Sequence, residues 1–262
     1  MKRWFARGFQ AAKVQWALFN GAVLFYTRLP LPSCWPVRFE KIARVAPLVG
    51  LVLGALLTLL DLLLLGLGLP LLLRSALVIL SGMWLTGGLH LDGAMDTADG
   101  LAVQEPKRRL AAMADSQAGA FGVMAAIAIL LLKVTALTSI GHSRWFALLA
   151  AAAWGRWGQQ WAIGRYPYLK AEGKGAFHKQ AIPSVWQALP WAIGLVGITI
   201  LAIMLRLISW RYGTAAMITG GGAAWLVSAW LAKQLGGHTG DTYGAVVEWV
   251  EVAVLLGLAS VS

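Results

Sequence analysis

The sequence predicts an all-α, polytopic integral membrane protein, and three observations carry that prediction. Of the 262 residues, 59% are hydrophobic and only 13% are charged, about half the charged share of a soluble domain. Apolar runs of about 16 to 23 residues recur along the chain, close to the ~20 a helix needs to cross a bilayer. The basic residues fall almost entirely in alternate loops, as they do when positive charge is retained on one side of a membrane.

The N-terminal segment is basic, but Arg7 and Lys13 interrupt any apolar stretch that a secretory signal would need. Residues 14–27 are apolar, too short to span, and followed by Pro30 and Pro32. They predict an interfacial or re-entrant helix ended by proline. Seven spans are expected after it, at 45–67, 69–85, 120–140, 144–163, 185–207, 214–231 and 245–260. The first carries Gly50 and Gly54 at i,i+4, a face suited to close helix packing. No linker or low-complexity tract divides the chain, so residues 1–262 form one membrane-embedded domain.

Sixteen Lys and Arg fall in the N-terminal segment and the loops 86–119, 164–184 and 232–244, against three (Arg144, Arg206 and Arg211) on the other side. The N-terminus and those loops are therefore expected on the cytoplasmic side of the membrane, with the C-terminus on the far side. The formal charge of +11 follows from the same retention and does not call for nucleic acid. A single cysteine, Cys34, excludes a disulfide framework and a cysteine-rich zinc site. The four histidines are scattered.

An apolar chain with 11 acids reveals its chemistry by where it puts them. Gly87-Gly88-Leu89-His90-Leu91-Asp92-Gly93-Ala94-Met95-Asp96-Thr97-Ala98-Asp99-Gly100 holds three of them. Asp92, Asp96 and Asp99 stand at i, i+4 and i+7, so on a helix they share one face. Two full charges about 5–6 Å apart repel by ~3 kcal/mol at an effective dielectric near 20. A cation in the gap removes that repulsion, and an oxygen-only donor set favours a hard ion, Mg²⁺ or Mn²⁺.

A second segment, Gly236-Gly237-His238-Thr239-Gly240-Asp241, repeats the Gly-Gly-x-x-x-Asp pattern and leads to Glu248. Asp241 and Glu248 share a helical face at the entrance to the last span and join the metal-ligand candidates. Asp115 and Ser116 open a third block just before the third span. Asp115 and Asp241 are candidate general bases, and Ser116 is a candidate substrate contact. Arg28, Lys170 and Lys174 lie on the same side as the acids and can meet a phosphate. Arg156 lies within a span, where a guanidinium needs an anionic or carbonyl partner, and Lys133 needs one too. His90 is placed to touch substrate or orient a carboxylate; His142 and His178 carry no such expectation. Clustered acids, a hard metal and convergent cations suit phosphoryl transfer from an anionic diphosphate.

The 87–100 segment resembles the signature of the adenosylcobinamide-GDP ribazoletransferase (cobalamin synthase) family. Four further blocks agree in order: Tyr26-Thr27-Arg28-Leu29-Pro30, Pro47-Leu48-Val49-Gly50 with Gly54, Asp115-Ser116 with Gly119 and Gly122, and Gly240-Asp241-Thr242 with Gly244, Ala245 and Glu248. The resemblance implies a Mg²⁺-dependent membrane enzyme of the last step of cobalamin assembly. It would transfer the cobinamide phosphate of adenosylcobinamide-GDP to α-ribazole or its 5′-phosphate and release GMP. By matching position, Asp92, Asp96 and Asp99 would bind the metal, with Asp96 also catalytic. The partners implied are those two substrates and the lipid bilayer, with homo-oligomerisation left open. Two positions depart from the family pattern: Gln117, where relatives often carry a basic residue, and Lys170, where they often carry Arg. Lys keeps the charge but loses the planar fork.

Three alternatives share some features. A CDP-alcohol phosphotransferase also begins its motif with Asp-Gly, but expects Ala-Arg two residues later where this chain has Met95-Asp96. An intramembrane prenyltransferase is likewise Asp-rich and helical. A divalent-cation transporter would place acids at mid-membrane with access from both sides, whereas these cluster on one side.

Overall fold

The computed structural model describes residues 2–170 and 176–262, with side chains from residue 12 onward in that range. Among the described residues there is no strand, only one isolated bridge between Tyr168 and His238. The first helix, α1 (Lys2–Tyr26), extends further back than 14–27 because no proline precedes Pro30. It ends as expected: the hydroxyl of Thr27 donates to the carbonyl of Val23 at 2.7 Å, and the Arg28 amide leaves the helix to donate to Leu85. Leu18, Ala22, Val23 and Tyr26 on α1 pack against Val49 and Leu53 of α2 (Ala46–Gly66).

Then follow α3 (Leu71–Leu85), α4 (Leu89–Ala102), α5 (Pro106–Ala112), α6 (Ala120–Ser139), α7 (Arg144–Arg165), α8 (Ala176–Ala181), α9 (Leu189–Met204), α10 (Trp210–Leu235) and α11 (Gly240–Ala259). Among the described residues five segments are long and apolar enough to cross a membrane: Ile42–Gly66, Ala120–Ser139, Val185–Met204, Trp210–Leu235 and Gly240–Ala259. The helices α3 and α4 pass the same test only together, as a pair bent by 88°. The protein is thus a multi-pass membrane protein, in which five helices of the described residues, or six segments with the bent pair, qualify as spans by length and composition alone, where seven spans were expected. Two expected spans account for the difference. On its own, α3 is too short at 15 residues, about 22 Å. For α7 the obstacle is polarity: it carries three arginines and two glutamines.

That polarity is explained by where α7 sits. It packs along α2, α10 and α11, and most of its residues are buried in protein, so few of them need to be apolar for the sake of lipid. The close-packing face read at Gly50 and Gly54 is real. A Cβ at Gly50 would lie 2.4 Å from the Ala152 carbonyl oxygen, and one at Gly54 2.7 Å from the Leu149 Cα.

Two buried ion clusters tie the bundle. At the end where α3 and α7 begin, Asp61 of α2 accepts from Arg74 at 3.1 and 3.0 Å and from Arg144 at 2.9 and 2.7 Å. Arg144 also donates to the Ser75 hydroxyl and the Leu137 carbonyl. Deeper in the bundle, Lys133 of α6 donates to Glu248 and Glu251 of α11, and Arg156 of α7 donates to Glu251 and to the Ala152 carbonyl. The partners that Arg156 and Lys133 require are therefore present.

Candidate active site

The acids gather at the opposite end from Asp61, where α4 lies across the beginnings of α6 and α11. We read α4 as lying outside the spans there. A tight turn introduces it: Gly87 and Gly88 have φ of 64° and 73°, a conformation glycine adopts without strain. The second Gly-Gly pair makes the matching turn before α11, with Gly236 at φ 86°. The two helices then cross with almost no space between them. A Cβ at Gly93 would lie 2.6 Å from the Asp241 carbonyl oxygen, and one at Gly244 2.8 Å from that of His90. This crossing brings the Asp92/Asp96 face of α4 to Asp241.

Asp96 is half-buried, and its carboxyl is pushed up to about 6, first by burial and then by the charges of Asp92, Asp241 and Asp99. Lys170 opposes that shift. Its Nζ lies 3.2 Å from Asp241, which also accepts from the Thr239 hydroxyl. The loop bearing Lys170 is held by paired backbone bonds, Leu169 N–H to His238 O at 2.8 Å and His238 N–H to Pro167 O at 2.9 Å. Thr239 caps α11 in a capping box with Thr242, and His238 braces it through the Thr242 hydroxyl.

Other expected site residues lie elsewhere. Asp99 shares the helical face, but both its oxygens accept backbone N–H groups, from Gly119 and Gly122 at 2.8 Å each. It anchors the start of α6, which accounts for those two glycines following the Asp115-Ser116 pair. Asp115 and Ser116 are exposed, and Asp115 closes a local turn onto the Gln117 amide. The structure does not bring them to Asp96. Glu248 is not brought there either; its carboxylate is held by Lys133. Arg156 is committed to Glu251 inside the bundle. Lys174 lies outside the described residues.

Two spaces that share lining residues adjoin the acids. An open cleft of about 590 Å³ is lined by Arg28, Thr27, Thr86, Gly87, Asp92 and Met95. An inner pocket of about 180 Å³ is lined by Tyr26, His90, Asp92, Gln159, His178 and Asp241, among others. Asp92 lines both. Of the inner set, only His90, Asp92 and Asp241 were expected. Gln159 had a readable signal, since a glutamine within an Ala- and Trp-rich membrane helix calls for a polar partner. Tyr26 had its place at the head of a block shared with the family, and His178 had no signal.

Among the described residues no three His, Cys, Asp or Glu side chains converge as a preformed metal cage. The donor set fits Mg²⁺ in its usual manner, which is one or two carboxylates completed by waters and substrate phosphates. The crowding of Asp92, Asp96 and Asp241 leaves negative charge for it to neutralise. A pH test follows. Carboxyl groups unfold to a value near 4, and Asp96 titrates near 6 when folded. Its contribution to metal-free stability is thus complete below about pH 4 and lost as pH rises through 6. Relative to Asp96→Asn, the wild-type melting temperature without metal should fall between pH 4 and 7. Added Mg²⁺ should restore it, with affinity rising through pH 6. A pH-independent difference between the two proteins would contradict the crowding.

The fold and site together define a multi-pass membrane enzyme with an acid cluster opening on a cleft at one end of its bundle. The family model described as cobalamin-5-phosphate synthase matches residues 18–259. Three cyanobacterial proteins named adenosylcobinamide-GDP ribazoletransferase align over most of both chains. That of Trichormus variabilis is 56% identical over 89% of this chain and 93% of its own. That of Synechococcus elongatus is 53% identical over 91% and 94%, and that of Synechocystis sp. 52% over 92% and 94%. No solved structure matches the chain. The chain belongs to the cobalamin-5-phosphate synthase family, and it is a transferase of cobalamin biosynthesis. The CDP-alcohol phosphotransferase, prenyltransferase and transporter alternatives fall away.

Proposed function

We propose that this enzyme transfers the cobinamide phosphate of adenosylcobinamide-GDP to α-ribazole, or to its 5′-phosphate, with release of GMP. The relatives' name supplies the substrates. The observation that carries the reading is Asp92 at the seam of two spaces, an outer cleft with a cation and an inner pocket without one. The diphosphate lies in the cleft beside Arg28, with Lys170 near. A sugar hydroxyl attacks the phosphorus attached to cobinamide. The new O–P bond forms as the anhydride P–O bond breaks, and GMP leaves with that electron pair. The hydroxyl proton passes to Asp96 or Asp241; a carboxyl titrating near 6 suits a base working near neutrality. Mg²⁺, when bound, would be held by Asp92 and whichever of Asp96 and Asp241 is not the base, and would supply charge neutralisation for the departing phosphate.

The decisive experiment uses protein reconstituted in lipid with Mg²⁺, α-ribazole and adenosylcobinamide-GDP labelled at the phosphorus next to cobinamide. The label should finish in the corrinoid product, with unlabelled GMP. Label in GMP, or release of GDP, would refute the assignment.

The same reading places the acid end in the cytoplasm and the chain in the bacterial inner membrane, supported by the distribution of basic residues. Of the three on the opposite side, Arg144 is buried against Asp61, which leaves two. In a Cys34→Ser background, an impermeant thiol reagent applied to intact cells should label His142→Cys and not Glu105→Cys. Both positions are exposed and lie near opposite ends of α6. External labelling at Glu105→Cys would reverse the orientation.

A further inference from the structure

The inner pocket has an unusual wall. His90, His178 and Tyr243 are 2%, 3% and 1% exposed. Both ring nitrogens of His90, the Nδ1 of His178 and the Oη of Tyr243 have no hydrogen-bond partner among the described residues. All three side chains line the same 180 Å³ space. An unpaired buried polar atom is costly to leave unmade, so several around one cavity mark a place where a ligand completes them. They come from three helices, α4, α8 and α11, so no single helix end accounts for them. The wall is also rigid. The rings of His90, Tyr26 and His178 stand in a near-parallel row, with centroids 6.1 and 5.9 Å apart and planes within 15°, and Phe25 meets His178 edge-on.

Charge selects the ligand. The charged groups lining this pocket are Asp92 and Asp241, both acids. A phosphate would be repelled there, whereas the cleft beside it offers Arg28. The neutral donors and acceptors of His, Tyr and Gln suit hydroxyl groups. The volume is below the ~300 Å³ of a typical drug-sized site, so one small ring fits and a whole nucleotide does not. Burial holds His178 down to about 4, so it presents a neutral ring at neutral pH.

We infer that the inner pocket is the acceptor subsite, in which His90, Gln159, His178 and Tyr243 hold an uncharged sugar ring with a hydroxyl turned towards Asp92. This rests on the reaction proposed above, in that the sugar is the acceptor's. The donor's phosphates stay in the outer cleft. The two substrates then meet at Asp92 from opposite sides.

The test is calorimetric binding to the full chain in lipid nanodiscs, with α-ribazole alone as one probe and GDP with Mg²⁺ as the other. Tyr243→Phe removes only the unpartnered oxygen, so its melting temperature should match wild type. It should bind α-ribazole about 10-fold more weakly, the size of one hydrogen bond, and bind GDP unchanged. His178→Phe should act in the same direction. Arg28→Gln should show the reverse pattern. The subsite is refuted if wild type fails to bind α-ribazole, if Tyr243→Phe binds it as wild type does, or if the loss falls on GDP instead. Intact α-ribazole binding without turnover would refute the reaction and leave the subsite standing. Turnover with α-ribazole binding unaltered by Tyr243→Phe would refute the subsite and leave the reaction.

Discussion

Asp61→Leu should remove most of the folded protein from the membrane. Asp61 is 4% exposed and neutralises two arginines, each through two hydrogen bonds. Its loss leaves Arg74 and Arg144 buried without an anion. Breaking one buried pair typically costs about 3–5 kcal/mol, which approaches the whole stability of many domains, and here two pairs break together. Fluorescence-detected size exclusion of detergent extracts would measure the surviving folded fraction. Adding Arg74→Met and Arg144→Met to Asp61→Leu removes the unpaired charges as well as the partner. That triple variant should recover much of the loss, since apolar replacement of a complete buried ion cluster is often neutral. A stable Asp61→Leu protein, or a triple variant no better than the single, would mean that the cluster does not hold α2, α3 and α7 together.

Asp96→Asn should abolish turnover while leaving a folded protein. Asp96 sits among three other carboxylates, which with burial raise its proton affinity. As a metal ligand or as the base it contributes charge that Asn lacks, and losing a positioned base alone typically costs 10²–10⁴-fold. We expect kcat/KM to fall at least about 10³-fold, with the metal-free melting temperature at neutral pH equal to wild type or higher. Near-normal turnover at ordinary Mg²⁺ would reduce the acid cluster to a structural feature.

The legible parts of this protein are the local ones. The helix α6 can be read from an apolar run in which Lys133 is the one charge, and most of α11 from the last apolar run, because lipid demands apolar surface along a span. The Asp-rich turn can be read because like charges at i, i+4 and i+7 conflict within a single helix. Long-range pairing is not local. Glu248 resembles a site carboxylate until α6 supplies Lys133, 115 positions away. Asp99 stands in register with Asp92 and Asp96, yet the α6 amides claim it. His178 and Tyr243 acquire meaning only when α8 and α11 face a common cavity, and no periodicity within either helix announces that. At α3 and α7 length and composition fall short of a span on their own for a related reason. Their surroundings, more than their own composition, decide how they sit.

The enclosure of α7 has a consequence for how the chain is made. A helix carrying Arg156 within its length and Arg144 and Arg165 at its two ends is a poor substrate for insertion by itself, because an arginine near a membrane centre is penalised by about 2.5–3.5 kcal/mol on insertion scales. Of its main neighbours, α2 precedes it, whereas α10 and α11 follow. Roughly 75 residues separate the end of α7 from the start of α11, about 4 to 15 s of synthesis at ordinary bacterial and eukaryotic rates. During that interval Arg156 has no Glu251 to pair with and α7 lacks half its sheath. The protein's most buried helix is therefore among the last to reach its final surroundings, and a nascent chain released before α11 emerges would strand a cationic helix at the bilayer.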